Sequence, residues 1–129
     1  MDDFLKVMQA KQGFVALSGA SAEQIAKAEA ALGVKFSEEY RKYVSAFGIA
    51  SFEAHELTGL CSSPRLNVVD VTIEERLRYP ELPKDWYVLE KTNIDDVVIW
   101  QSGAGKVHQS MPGAQAIMLF GSLSEYLDS

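Results

Sequence analysis

The segment from Ser21 to Gly48 constrains this chain more than any other. It reads as two short helices joined at a glycine. Ser21 is a strong N-cap, and Gln24 follows three residues later, as a capping box requires. Ile25, Ala28 and Leu32 recur at helical spacing. Gly33 follows where a left-handed residue closes a helix. Beyond Val34 and Phe36, Ser37 caps a second helix. Glu38 and Glu39 fill its first turn, where the helix dipole favours negative charge. Tyr40, Tyr43, Val44 and Phe47 then fall at i, i+3, i+4 and i+7, one broad aromatic face ended by Gly48. Such a pair cannot bury both apolar stripes by itself. The rest of the chain must supply a sheet or more helices.

It offers both. Asp2–Ala10 is a short helix with an apolar edge of Phe4, Leu5 and Met8. The spacing then gives a loop after Ile49 and a short strand near Glu56–Leu60. Asn67–Val71 reads as extended chain or as a helix lead-in. Thr72 and Glu75 have the spacing of a capping box, opening a helix that carries Ile73, Leu77, Arg76 and Arg78 outward and stops at Pro80 and Pro83. From Trp86 the period changes to two. Strands are expected at Trp86–Glu90, Asp96–Gln101 and Lys106–Gln109. Ser102–Gly105 is a hairpin loop and Met111–Gly113 a second turn. Gln115–Phe120 suits a fourth strand or a helix. The contiguous Val97, Val98, Ile99 and Trp100 imply a strand buried on both faces. Ser122 and Glu125 cap a last helix with Leu123, Tyr126 and Leu127 inward. The expected fold is α+β: a single domain over residues 1–129, an antiparallel sheet of about four to six strands, and helices packed mainly on one face.

Composition narrows the function. A chain of 129 residues fits one domain, and 47% apolar residues can build a core. The net charge is −6, with no run of Lys or Arg. Phosphate binding needs a basic patch, so nucleic acid is a poor ligand. A basic protein is a better one. Cys61 is the single cysteine, which excludes an intrachain disulfide. Asp2 and Asp3 stand where a signal peptide carries basic residues, and no segment nears the ~20 apolar residues of a membrane span. The expected location is cytoplasmic, without membrane attachment.

No pattern of catalytic or metal chemistry emerges. His55, His108 and Cys61 lack ligand spacing, and no nucleophile motif surrounds Cys61 or a serine. Glu38-Glu39, Glu74-Glu75 and Asp95-Asp96 are adjacent pairs. On a helix such neighbours point some 100° apart, so they do not face one substrate. Gly103–Gly105 joins two strands and does not open a helix, which phosphate binding would require. No catalytic residue, cofactor or metal ligand is assigned. Trp86 and Trp100 read as core, with the alternative that one anchors an interface.

Ala28-Glu29, Leu32-Gly33-Val34, Phe36, Tyr40, Tyr43-Val44 and Phe47-Gly48 keep the order and spacing of a pattern that resembles the SUKH superfamily. Gly59-Leu60, Val69–Arg76 (V-x-x-T-x-x-x-R), the strand–turn–strand segment Val98–Gln109 and Ser122–Leu127 continue the resemblance. One departure is Phe36-Ser37, where many members have Leu-Pro, although serine still caps the helix. The superfamily includes bacterial toxin-immunity proteins and fungal regulators of cell-wall synthesis. The resemblance therefore implies a non-catalytic binding module. Its first expected partner is a cognate secreted toxin, polymorphic or contact-dependent, with a basic nuclease or deaminase domain. The alternative is a regulatory or scaffolding domain that binds an endogenous protein. Acidic residues in loops flanking the sheet suit a basic partner, and Glu53, Glu56, Asp95 and Asp96 are the candidate contacts.

Overall fold

A computed structural model describes residues 3–128. Asp2, expected at the start of the first helix, lies outside the described residues. In chain order the elements are α1 (Asp3–Gln9), β1 (Val15–Ala16), α2 (Ala22–Leu32), α3 (Glu38–Phe47), β2 (Ala50–Phe52), β3 (His55–Glu56), α4 (Val68–Arg78), β4 (Tyr87–Lys91), β5 (Val98–Gln101), β6 (Val107–Ser110), β7 (Ile117–Phe120) and α5 (Leu123–Leu127). The α+β class and the antiparallel pairing are as the sequence implies. The strands divide into two sheets, ordered β1-β2-β3 and β4-β5-β6-β7. Strands β1 and β2 span two and three residues, too short for a period-two pattern to announce them. The ambiguous fourth segment is a strand.

The helix pair forms through its own caps. Ser21 Oγ accepts from the Gln24 backbone N–H at 3.1 Å, and Gln24 Oε1 accepts from Ser21 N–H at 2.8 Å. Gly33 is left-handed, with φ 67°. Ser37 Oγ accepts from Tyr40 N–H at 3.1 Å and donates to Gln101 Oε1 at 3.1 Å. Tyr87 donates its hydroxyl to the same Gln101 oxygen and accepts from Ser37 N–H. One serine thus ends a loop, caps α3 and ties that helix to β4 and β5. Tyr40, Tyr43, Val44 and Phe47 are all buried. Gly59 follows from packing: a Cβ there would lie 1.9 Å from the Gly48 carbonyl oxygen.

Strand β5 lies inside the four-stranded sheet and is buried along its length, as its apolar run implies. Ile99 joins the larger core, with Tyr87, Leu89 and Val107 and side chains from all five helices. Val98 and Trp100 enter a smaller core with Val71, Tyr79 and Val88. Helix α4 serves both, through Val68 on one side and Val71 on the other.

The start of α4 corrects the expected capping box. Asn67 is the N-cap, its side chain accepting from Val69 N–H at 2.9 Å. Thr72 and Glu75 lie buried within the helix, and Thr72 Oγ1 accepts from Val88 N–H at 2.9 Å. Valines 68, 69 and 71 are poor helix formers, but packing on the sheet outweighs that local preference. Ile73, Leu77 and Arg78 face outward as expected. Arg76 instead bends back to donate to the Leu32 carbonyl at 3.0 Å and the Lys84 carbonyl at 2.8 Å. It thereby satisfies an end carbonyl of α2.

Candidate partner-binding face

The four acidic candidates sit on the β2–β3 hairpin and the β4–β5 loop. Glu53 occupies the β2–β3 turn at φ 52°, exposed, and donates its backbone N–H to the Gln12 carbonyl at 2.8 Å. Glu56 lies in β3. Asp95 and Asp96 follow each other in the β4–β5 loop with φ of 53° and 57°, both exposed. Left-handed backbone is tolerated better by Asp and Asn than by most residues, and Asn93 in the same loop shares it.

Cations are interleaved with these acids. Arg65 reaches both Glu56 carboxylate oxygens, at 2.6 and 3.2 Å. This pairing holds the Glu56 carboxyl below its ordinary range. Arg78 lies 3.9 Å from Asp96, and Lys91 lies 3.9 Å from Glu74. Glu56, Arg65, Lys91 and Asn93 border one small cleft of about 70 Å³. The structure therefore brings Glu56 to the base of the β4–β5 loop and links Asp96 to α4. Glu53 stays at the hairpin end, beside the Gln12 turn. Among the described residues Glu53 and Asp95 carry no ion pair, whereas Glu56 and Asp96 each lie against an arginine.

Glu90, which sequence reasoning missed, fixes the geometry. A register shift between Val88 and Glu90 sets Glu90 opposite Ile99, on the side of the larger core. Strict alternation would have put it on the face of Val88. There its carboxylate accepts three hydrogen bonds. Tyr126 donates its hydroxyl to Oε1, His55 Nδ1 meets Oε1 at 3.0 Å, and Glu56 donates its backbone N–H to Oε2 at 2.7 Å. The bond to Glu90 raises the His55 pKa against the opposing effect of burial. Burial pushes the Tyr126 hydroxyl well up, so it remains a donor. This carboxylate joins α5, β4 and β3, and so holds the hairpin that carries Glu53 and Glu56. The only signal in the sequence was an acid in an otherwise apolar strand.

His55 therefore has a carboxylate partner, the arrangement that would orient a general base. The pair lines neither the small cleft nor the groove described next. Among the described residues, no three His, Cys, Asp or Glu side chains gather to hold a metal ion. Cys61 is half-buried, with Sγ 3.6 Å from the Ser63 carbonyl.

A groove of about 800 Å³ runs between the end of α4 and the β6–β7 hairpin, bordered by Arg78, Leu82, Trp86, Met111 and Pro112. Trp100 is core, donating from Nε1 to Ser110 Oγ at 2.8 Å. Trp86 is half-buried in the groove wall and stacks on His108, 4.0 Å between ring centres. Of the two tryptophans, Trp86 is thus the one at the surface.

No helix is long and apolar enough to cross a membrane among the described residues. A comparison with curated proteins gives no match. A comparison with protein families matches the SUKH_5 model, described as SMI1-KNR4 cell-wall, over residues 1–128. That match runs from the first helix to the last, including the cap-and-glycine pair of α2 and α3 and the β4–β7 sheet, and the chain belongs to the SUKH family.

Proposed function

We propose that the protein is a non-catalytic binding module that neutralises a secreted toxin by direct contact. The toxin carries a basic nuclease or deaminase domain. The observation that carries the reading is the family match over the whole chain. The choice of a basic partner is supported by the net charge of −6 and by the two acidic turns beside β4. A cleft that holds nucleic acid is basic, and an acidic protein both approaches it quickly and complements it. Glu53 and Asp95 make the first contacts, and Glu56 and Asp96 follow by exchanging their arginines.

The family description names the cell wall, which favours a second reading: a regulatory module binding an endogenous protein. The two readings separate in one experiment. The purified chain is used as bait in lysate of its own source, with the products of neighbouring genes co-expressed. Stoichiometric capture of a basic nuclease or deaminase whose activity then vanishes supports neutralisation. Capture of a housekeeping assembly supports the regulatory reading and removes the first. With the toxin in hand, reversing all four charges (Glu53, Glu56, Asp95 and Asp96 to Lys) should weaken binding by well over about tenfold. An unchanged dissociation constant would remove these residues from the interface.

A further inference from the structure

The outer face of α4 carries apolar side chains that the core does not use. Leu77 is 81% exposed, and Ile94 in the β4–β5 loop is 67% exposed; among the described residues these are the two most exposed large apolar side chains. Ile73, 49% exposed, stands one helical turn before Leu77 on the same face. The helix and the loop are neighbours. Asp96, two residues beyond Ile94, lies 3.9 Å from Arg78, and Lys91 at the end of β4 lies 3.9 Å from Glu74. Hydrogen bonds brace the loop around Ile94. Val97 N–H donates to the Ile94 carbonyl at 3.0 Å, and Thr92 Oγ1 accepts from Ile94 N–H at 3.2 Å. A segment that is already ordered loses little freedom when it is covered, which suits an interface anchor.

Charge around these side chains selects what can cover them. Asp70, Glu74, Asp95 and Asp96 are exposed on the same helix face and loop. The cations among them, Arg78 and Lys91, are already shared with buried Glu75. Arg76 turns away, to the Leu32 and Lys84 carbonyls. Five acids against two cations leave this face at −3, half the net charge of the chain. A second copy would set acid against acid here, and a nucleic acid or an anionic membrane would meet the same repulsion. A basic protein is attracted instead. We infer that the outer face of α4 and the β4–β5 loop form a docking surface for a basic protein, with Leu77 and Ile94 as apolar anchors inside an acidic rim. An apolar centre ringed by polar groups is the common anatomy of such an interface. The inference rests on the proposed binding of a basic partner and adds the source of the contact energy. Asp95 and Asp96 speed and orient the approach, and burial of Leu77 and Ile94 holds the complex.

Chemical-shift mapping on the whole chain tests it with a probe of defined chemistry, a helical peptide bearing leucines on one face and lysines on the other. The peptide should shift the amides of α4 and of residues 93–96, and it should bind more weakly as salt is raised. The same peptide with glutamates for lysines should bind at least about tenfold more weakly. Leu77→Ala with Ile94→Ala removes the anchors and leaves the charge unchanged. It should raise the dissociation constant at least about tenfold, since both side chains lose the gain from burial. Ile117→Ala with Met118→Ala removes a comparable exposed apolar pair from β7 and should leave binding unchanged. All four side chains are on the surface, and an unaltered urea midpoint shows that each variant folds. Shifts confined to β7 or to the groove beside Trp86 overturn the inference. So does equal binding of the acidic peptide, or no binding of either peptide, or an anchor-free variant that binds as the wild type does. The toxin, once captured, tells the two proposals apart. A nuclease or deaminase neutralised equally by the wild type and the anchor-free variant keeps the toxin reading and removes this face. Capture of a housekeeping assembly removes the toxin reading and leaves the face to be decided by the peptides.

Discussion

Glu90 and Glu75 are both removed from water, the first within β4 and the second in α4 against Lys91 of that strand, yet they are accommodated in opposite ways. Glu90 accepts directed hydrogen bonds from a phenol, an imidazole and a backbone N–H, drawn from two elements, α5 and β3. Glu75 is answered by cations. Arg78 reaches Oε1 at 3.2 Å, Lys91 lies 3.5 Å from Oε2, and among the described residues Oε2 has no hydrogen bond. Both cations keep access to solvent. The first arrangement specifies geometry: three donors with fixed directions set where β3 and α5 sit. The second compensates charge without fixing a position. Only the first holds an acidic turn in place.

Removing Glu90 should therefore cost most. Glu90→Leu leaves the Tyr126 hydroxyl, the Glu56 N–H and His55 without their acceptor, at about 3–5 kcal/mol. Urea unfolding measures it. Because the same bonds hold the β2–β3 hairpin, amide exchange at Glu56 should accelerate more than at β5. A loss below about 1 kcal/mol would mean that packing alone positions β3, and the contrast with Glu75 would collapse.

Glu75→Leu sharpens the contrast from the other side. Arg78 and Lys91 can turn to water when the carboxylate goes, so no buried charge is stranded. Replacing a buried ionic group by an apolar one is often neutral under those conditions, and the expected change is within about 1 kcal/mol of zero. A penalty equal to that of Glu90→Leu would show that the cations are held as rigidly as the Tyr126 hydroxyl.

These two residues also show what the sequence could disclose. The α2–α3 pair and α5 are legible because their caps and stripes are local: Ser21 with Gln24, Ser37 with Tyr40, Ser122 with Glu125. The family resemblance follows from the same local features. Thr72 and Glu75 have the spacing of a cap and were misread. The competing cap, Asn67, precedes a run of valines whose helical state depends on the sheet beneath. Glu90 hid for a related reason: the register shift beside it is a property of strand pairing, which no single strand encodes. The acidic candidates were legible as loop residues. Their arginine partners were not, because Arg65 and Arg78 come from other turns of the fold.

The smallest expected effect, and the most specific, is in the pH dependence. His55 and His108 are displaced in opposite directions. The hydrogen bond to Glu90 raises the His55 pKa above its ordinary 6.5, while burial lowers that of His108 below it. A raised histidine contributes stability that is fully present below pH 6.5 and fades as pH climbs through the folded-state value. A lowered one does the reverse: its contribution is intact above pH 6.5 and is lost as protons are taken up on unfolding below it. In the wild type the two slopes act on opposite sides of pH 6.5, so together they shape a maximum near that value. His55→Gln should thus be most destabilising on the acid side, with its penalty shrinking as pH rises. His108→Gln should gain relative to the wild type as pH falls below 6.5, a window on the other side of that value from the one in which the His55→Gln penalty shrinks. Denaturant midpoints across this range decide it. A His55→Gln penalty that stays constant with pH would show that the imidazole meets Glu90 as a neutral donor, leaving a buried carboxylate held by hydrogen bonds alone.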